Sequence, residues 1–138
     1  MKCVIDASFV ASLFLPDEAG TQTALIASKF KPGDAAAPGL LQLEVTNILL
    51  MARRRGRVSG VDFQRVSDAF EKFPVAYQPA LTAEQRASVV RLAEKHALTA
   101  YDAAYLELSI RLGLPMGSLD KHLIKAAKAE GVALSVVI

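Results

Sequence analysis

Three apolar residues, Cys3, Val4 and Ile5, run straight into Asp6, and residues 7–15 then carry apolar side chains at helical spacing until Pro16 stops them. The chain thus switches from strand to helix at a charged residue, and it repeats the alternation to its end. A helix is expected over residues 19–30, closed by "KPGD", then a small-residue strand "AAA" that meets Pro38 and leads into the long helix "LLQLEVTNILLMARRRG". Two helices follow, "SGVDFQRVSDAFEKF" and "TAEQRASVVRLAEKH", with "PVAYQ" between them as a short edge strand. Thr82, Glu84 and Gln85 suit the cap and acidic first turn of the second. A helix containing Asp102 ends at Gly113; "PMGSL" reads as a weak strand, "KHLIKAAKAEG" as a helix and "VALSVVI" as a final strand. Short apolar strands separated by helices predict an α/β fold of three layers, with a central, mainly parallel sheet flanked by helices. No linker divides the 138 residues, so one domain over 1–138 is expected.

In such sheets ligands collect beyond the carboxyl ends of the strands. Asp6 follows the first strand, Asp102 opens a helix, and Asp120 follows the weak strand and opens the next helix. Each alone reads as a helix cap or a first-turn acid. Glu44 is different, because i, i+4 spacing puts it on one stripe with Leu40, Ile48 and Met51, where an unpaired carboxylate is costly. Several like charges at one sheet edge repel one another and raise at least one pKa unless a cation compensates. Oxygen donors without a His or Cys cluster favour Mg²⁺ or Mn²⁺ over structural Zn²⁺, and the matching chemistry is phosphoryl transfer or phosphodiester hydrolysis.

Other classes fall away. Hydrophobic residues at 52% and charged residues at 22% exclude a disordered chain, and a net charge of +2 is too small to name a partner. Cys3 is the one cysteine, so neither an internal disulfide nor a cysteine zinc cluster is available, which suits a reducing compartment. Asp6 interrupts the apolar N-terminal stretch, which has no small-residue cleavage site and is too short to cross a bilayer; a cytoplasmic protein without a membrane association is expected. The first strand leads into "DASFVA" rather than GxGxxG, so the dinucleotide-binding device is missing. His96 and His122 do not form a metal motif, and Tyr101 and Tyr105 read as packing residues before base-stacking ones.

The segments "VIDASFVASLFL", "PGLLQLEVTNILL" and "LTAYDAAYLELSIRLGLPMGSLDKHLIKAAKAEGV" resemble the motifs of the PIN-domain ribonucleases, especially the VapC-type toxins of toxin–antitoxin systems. The resemblance spans essentially the whole chain. It assigns the four acids of the site to Asp6, Glu44, Asp102 and Asp120, with Asp6 and Asp102 as metal ligands and Glu44 and Asp120 as direct or water-mediated ones. Ser8 matches the hydroxyl residue two positions after the first aspartate; Ser118 stands where the family often has Thr and keeps the hydroxyl. Implied with the fold are a Mg²⁺-dependent (or Mn²⁺-dependent) endoribonuclease acting on structured RNA, products with 5′-phosphate and 3′-hydroxyl ends, and a cognate antitoxin that blocks the site.

Two basic groups are candidates for RNA contact: Arg53, Arg54, Arg55 and Arg57 at the end of the Glu44 helix, and Lys121, His122 and Lys125 beside Asp120. The first group equally suits the negative end of its own helix, and Lys128 reads as a solvent-facing residue. The apolar segments "FVASLFL" and "LLQLEVTNILL" are expected to offer more hydrophobic surface than one small domain hides, for a homodimer, an antitoxin groove and a toxin–antitoxin hetero-oligomer. The competing readings are a metal-dependent DNA nuclease or phosphatase using the same acids, and a PIN-like nucleic-acid-binding regulator without cleavage activity.

Overall fold

The computed structural model describes residues 3–17 and 21–135. Four parallel strands, β1 (Cys3–Ile5), β2 (Ala35–Pro38), β3 (Val75–Gln78) and β4 (Met116–Gly117), form one sheet in the order β3-β2-β1-β4. Parallel neighbours need helical crossovers. These are α1 (Ala7–Phe14) and α2 (Thr21–Lys29), then α3 (Leu40–Arg54) and α4 (Gly60–Lys72), then α5 (Ala83–His96) and α6 (Ala100–Leu112), with α7 (Lys121–Ala129) after β4. The α/β fold with a parallel sheet between helices is therefore the one the alternation predicts.

Burial sorts the strands. β1 is wholly apolar and buried at the centre, whereas β3 alternates half-buried and exposed residues at the edge, as "PVAYQ" suggests. The three alanines of β2 are completely buried, and α6 brings Ala103 and Ala104 to the sheet, so small side chains on both partners let helix and strand approach closely. Around them Ile5, Phe9, Leu41, Leu106, Met116 and Leu123 fill the core. Each such side chain contributes about 1.5–3 kcal/mol when fully buried.

The chain leaves β1 towards β2 on one side and reaches β4 on the other, so the direction of winding reverses between β1 and β4. A crevice opens at the carboxyl ends of strands at such a reversal. Asp6 ends β1 there, and Ser118 and Asp120 follow β4.

Four details differ from the sequence reading. Asp102 does not cap its helix: Thr99 does, and Asp102 is the third residue of α6, its backbone N–H donating to Thr99 Oγ1 at 3.1 Å. On α3 the buried stripe is Leu41, Val45, Leu49 and Ala52; the stripe of Leu40, Glu44, Ile48 and Met51 lies one residue round, half-buried at its margin. "FVASLFL" offers little surface, since Phe9, Val10, Leu13 and Leu15 are all buried, while Leu43 of the other segment is 76% exposed. Of "VALSVVI", residues 136–138 lie outside the described residues; before them Leu134 forms an isolated parallel bridge to Met116 instead of a continuous strand.

Candidate acidic site

Asp6 is the N-cap of α1 and is only 4% exposed. Its Oδ1 accepts the Phe9 backbone N–H at 2.9 Å and the Ser8 hydroxyl at 2.7 Å; its Oδ2 accepts the Ser118 hydroxyl. Burial pushes its pKa above the usual carboxylate value, these three bonds oppose the rise, and the charge of Asp120 adds to it. Ser8 Oγ in turn accepts the Leu119 backbone N–H at 3.0 Å, and Ser118 Oγ accepts that of Asp120, also at 3.0 Å. The two serines therefore stitch the end of β1 to the loop after β4.

Asp120 is the N-cap of α7, its Oδ1 accepting the N–H groups of His122 at 2.9 Å and Leu123 at 3.0 Å. Asp102 approaches from the first turn of α6. Burial and the Asp120 charge raise its pKa, against the Thr99 hydrogen bond and the charge of His122. Glu44 comes from the second turn of α3, and the Tyr105 hydroxyl donates to its Oε1 at 2.6 Å. Burial raises the Glu44 pKa, the Tyr105 bond lowers it, and Asp102 and Asp6 raise it further. Tyr105 itself, 1% exposed, is pushed far above the ordinary phenol value by burial and by Glu44.

The four acids thus share one electrostatic neighbourhood: Asp120 acts on Asp6 and Asp102, and these two act on Glu44. None of the four makes an ion pair among the described residues. The fit to a cation is therefore good in chemistry, with hard oxygen donors, mutual repulsion and no counter-charge. It is incomplete in geometry, because among the described residues no three His, Cys, Asp or Glu side chains stand close enough together to hold a metal ion. The local hydrogen bonds explain why. Asp6 and Asp120 aim oxygens at their own helix N-termini, and Glu44 holds one on Tyr105.

The two basic groups fare differently. Arg57 pairs with Asp17 through one guanidinium edge, its Nε and Nη2 donating to the two carboxylate oxygens at 2.7 and 3.0 Å, and Arg53 lies over the Phe63 ring at 5.0 Å. Arg54 and Arg55 are exposed, but Arg54 stands ten residues, about 15 Å, along α3 from Glu44. Lys121, His122 and Lys125 are exposed on α7 close to the acids, near enough for His122 to act on Asp102.

Sequence reasoning missed the hydroxyl of Tyr105, which packs as expected and also holds Glu44. Its spacing three residues after Asp102 on one helix face was the available signal. Thr99 was missed too, although a Thr three residues before an Asp is a capping pattern. Tyr101, by contrast, is 64% exposed and is not a core residue.

The molecule is thus a parallel α/β domain with an acidic cluster at its winding reversal, and comparison with known proteins narrows the class. Residues 3–129 match the PIN domain family model, and the chain belongs to that family. It is 32% identical over 123 residues to a Pyrobaculum aerophilum protein named Ribonuclease VapC3, covering 89% of this chain and 92% of that one. Among solved structures, PAE2754 from the same organism superposes with a TM-score of 0.67 at 22% identity, over 91% of this chain and 84% of the other. FitAcB from Neisseria gonorrhoeae gives 0.57 at 14% identity, over 96% and 95%. A toxin–antitoxin complex from Klebsiella pneumoniae gives 0.55 at 14%, over 86% and 87%. These distant likenesses concern the fold; the chain as a whole resembles VapC-type toxins.

Proposed function

We propose that this protein is a metal-dependent endoribonuclease toxin of the VapC type, hydrolysing RNA to 5′-phosphate and 3′-hydroxyl ends. One observation carries the reading: four carboxylates, from the end of β1, from α3, from α6 and from the start of α7, share one neighbourhood and make no ion pair among the described residues. Similarity to a protein named a ribonuclease supports RNA as the substrate. Asp6 and Asp102 would hold Mg²⁺ or Mn²⁺, with Glu44 and Asp120 directly or through water. The cation, when bound, neutralises phosphate charge, favours hydroxide over water as the attacker and stabilises the leaving oxygen.

The chain's own groups do the positioning. Ser8 and Ser118 donate to the two oxygens of Asp6 and set its plane, and Tyr105 orients Glu44 from inside the core. A water, losing its proton to a nearby carboxylate, attacks phosphorus in line; the bond from phosphorus to the 3′ oxygen breaks, and that oxygen takes a proton. The 5′ side keeps the phosphate.

The Klebsiella pneumoniae structure titled as a toxin–antitoxin complex supports an antitoxin partner, and an oligomeric assembly is proposed with it. Leu43 and Leu81 are exposed near an apolar cleft of about 360 Å³ lined by Leu40, Ala104 and Leu108, which suits a homodimer or hetero-oligomer contact. Among the described residues no helix is long and apolar enough to cross a membrane; a cytoplasmic place is proposed.

The test uses matched RNA and DNA with end-group analysis. RNA cleavage stops in chelator and returns with Mg²⁺ or Mn²⁺, while preferential cutting of DNA moves the assignment to a DNA nuclease. Binding without cutting favours the regulatory alternative. Expression alone halts growth and coexpression of a neighbouring small gene restores it; harmless high expression overturns the toxin assignment.

A further inference from the structure

Between the last turn of α5 and α7 lies a cleft of about 360 Å³, rimmed by Lys95, His96, His122 and Lys125 and floored by Ala126 and Ala129. Glu130 braces its rim. One oxygen of Glu130 lies 2.6 Å from His96 Nε2 and 2.7 Å from Lys95 Nζ, tying the end of α5 to the end of α7. That carboxylate offsets part of the charge on α5. On α7 the positive charge is not offset: Lys121, Lys125 and Lys128 are exposed at i, i+4 and i+7, and none has a carboxylate partner among the described residues. They form a stripe about 10 Å long. No acid interrupts α7 between Asp120 and Glu130.

The stripe begins beside the acidic site, since His122 is two residues from Asp120 and its charge acts on Asp102. The arginines of α3 are poorer candidates for the same task. Arg53 and Arg57 are engaged by Phe63 and Asp17, and Arg54 is about 15 Å along the helix from Glu44. An alanine floor offers little apolar area to an amphipathic protein segment, whereas the ammonium groups of Lys95 and Lys125 at the cleft, with Lys121 and Lys128 beside Lys125 on α7, suit a regularly charged polyanion.

We propose that the α5–α7 cleft is a binding track for the RNA sugar–phosphate backbone flanking the cleaved bond, with Lys95 and Lys125 as its phosphate contacts and Glu130 holding Lys95 and His96 at the rim. The proposal rests on the nuclease reading for its choice of polyanion. It adds Lys95 and His96 to the RNA surface and takes the principal role from the α3 arginines.

The experiment measures RNA affinity against salt for full-length protein silenced by Asp6→Asn, with Lys95→Ala/Lys125→Ala or Arg54→Ala/Arg55→Ala added. All four added changes are at exposed positions, and thermal unfolding checks the fold. The lysine pair lowers affinity about tenfold and reduces the slope of log affinity against log salt by about 1.4, as for two lost single-strand phosphate contacts. The arginine pair does less. If active protein cleaves RNA but the lysine pair leaves affinity and slope unchanged, the track is overturned and the nuclease reading stands. If it binds RNA through the lysines but cleaves nothing with metal, the nuclease reading fails and the track stands. Absence of any RNA binding, or preference of the cleft for an acidic peptide, overturns the track outright.

Discussion

Two groups of carboxylates in this molecule are treated in opposite ways. At the far end of α7, Glu130 takes a lysine and a histidine, which hold its pKa below the ordinary glutamate value; on α6, Glu107 is 5% exposed and gripped by Arg111 at 2.7 and 3.1 Å. Near the carboxyl ends of β1 and β4, Asp6, Glu44 and Asp102 make no ion pair among the described residues, act on one another, and have raised pKa values. A fold that supplies counter-charges to Glu107 and Glu130 and gives the cluster of Asp6, Glu44 and Asp102 no ion pair among the described residues has that cluster arranged for something other than its own stability.

The largest effect comes from removing charge in the acidic cluster. Asp6→Asn, whose amide still caps a helix, and Asp102→Asn are each expected to slow RNA cleavage between about a hundred- and a thousandfold with the fold intact. Initial rates across a Mg²⁺ titration, beside thermal unfolding, measure this; full-rate cleavage by either variant removes that residue from the site.

At the paired carboxylates the same kind of operation strikes stability. Arg111→Ala leaves Glu107 buried and uncompensated, so urea denaturation is expected to show a loss of about 3 kcal/mol, while activity per folded molecule is retained. The double change Arg111→Ala/Glu107→Gln recovers part of that loss. A neutral outcome for the single change means the pair contributes nothing despite its burial.

Tyr105→Phe tests the link between core and site. The ring remains and the donor to Glu44 goes, so kcat falls about tenfold and the metal requirement rises, with little change in unfolding temperature. Unaltered metal dependence assigns the hydroxyl to packing alone.

The smallest effect is in the pH dependence of metal-free stability. The ordinary values are 3.8 for Asp and 4.5 for Glu, and Asp6, Glu44 and Asp102 lie above them, so over the window above these values the native state holds more protons than the unfolded one. Stability therefore falls as pH rises through that window. Glu130 has the opposite sign: its contribution is present above 4.5 and is lost as pH falls through its lowered value. Glu44→Gln flattens the falling limb, and Mg²⁺ lifts the wild-type limb more than the variant's. A limb unchanged by Glu44→Gln separates Glu44 from the cluster.

What could be read from sequence here was local in origin. Asp6 and Asp120 announce helix starts because a cap acts over three residues, and the Thr82–Gln85 capping box forms as the sequence suggests. The edge position of β3 follows from its mixed polarity. Of "VALSVVI", the described part pairs in parallel with Met116 through Ala133 and Ser135, and residues 136–138 lie outside the described residues.

The candidate site was legible as a set of residue types and partly as places. Its three aspartates stand at strand ends and helix starts, which the order of elements fixes, while Glu44 lies in the second turn of α3. Which oxygens are engaged was not legible, because the hydroxyl that holds Glu44 comes from 61 residues away and Ser118 reaches Asp6 across 112. Nor did sequence separate the two basic groups, since Asp17 and Phe63 become partners of Arg57 and Arg53 only when α3 packs beside its neighbours.

The sequence by itself determined the alternation of strand and helix, the parallel sheet and the charge of the acids, because propensity, capping and hydrophobic period act within a few residues. Tertiary structure alone decided that those acids make no ion pair among the described residues while Glu107 and Glu130 do, and that His122 and Lys125 of α7 line a cleft with Lys95 and His96. Burial and Coulomb interactions depend on distance in space, which only the packed fold specifies.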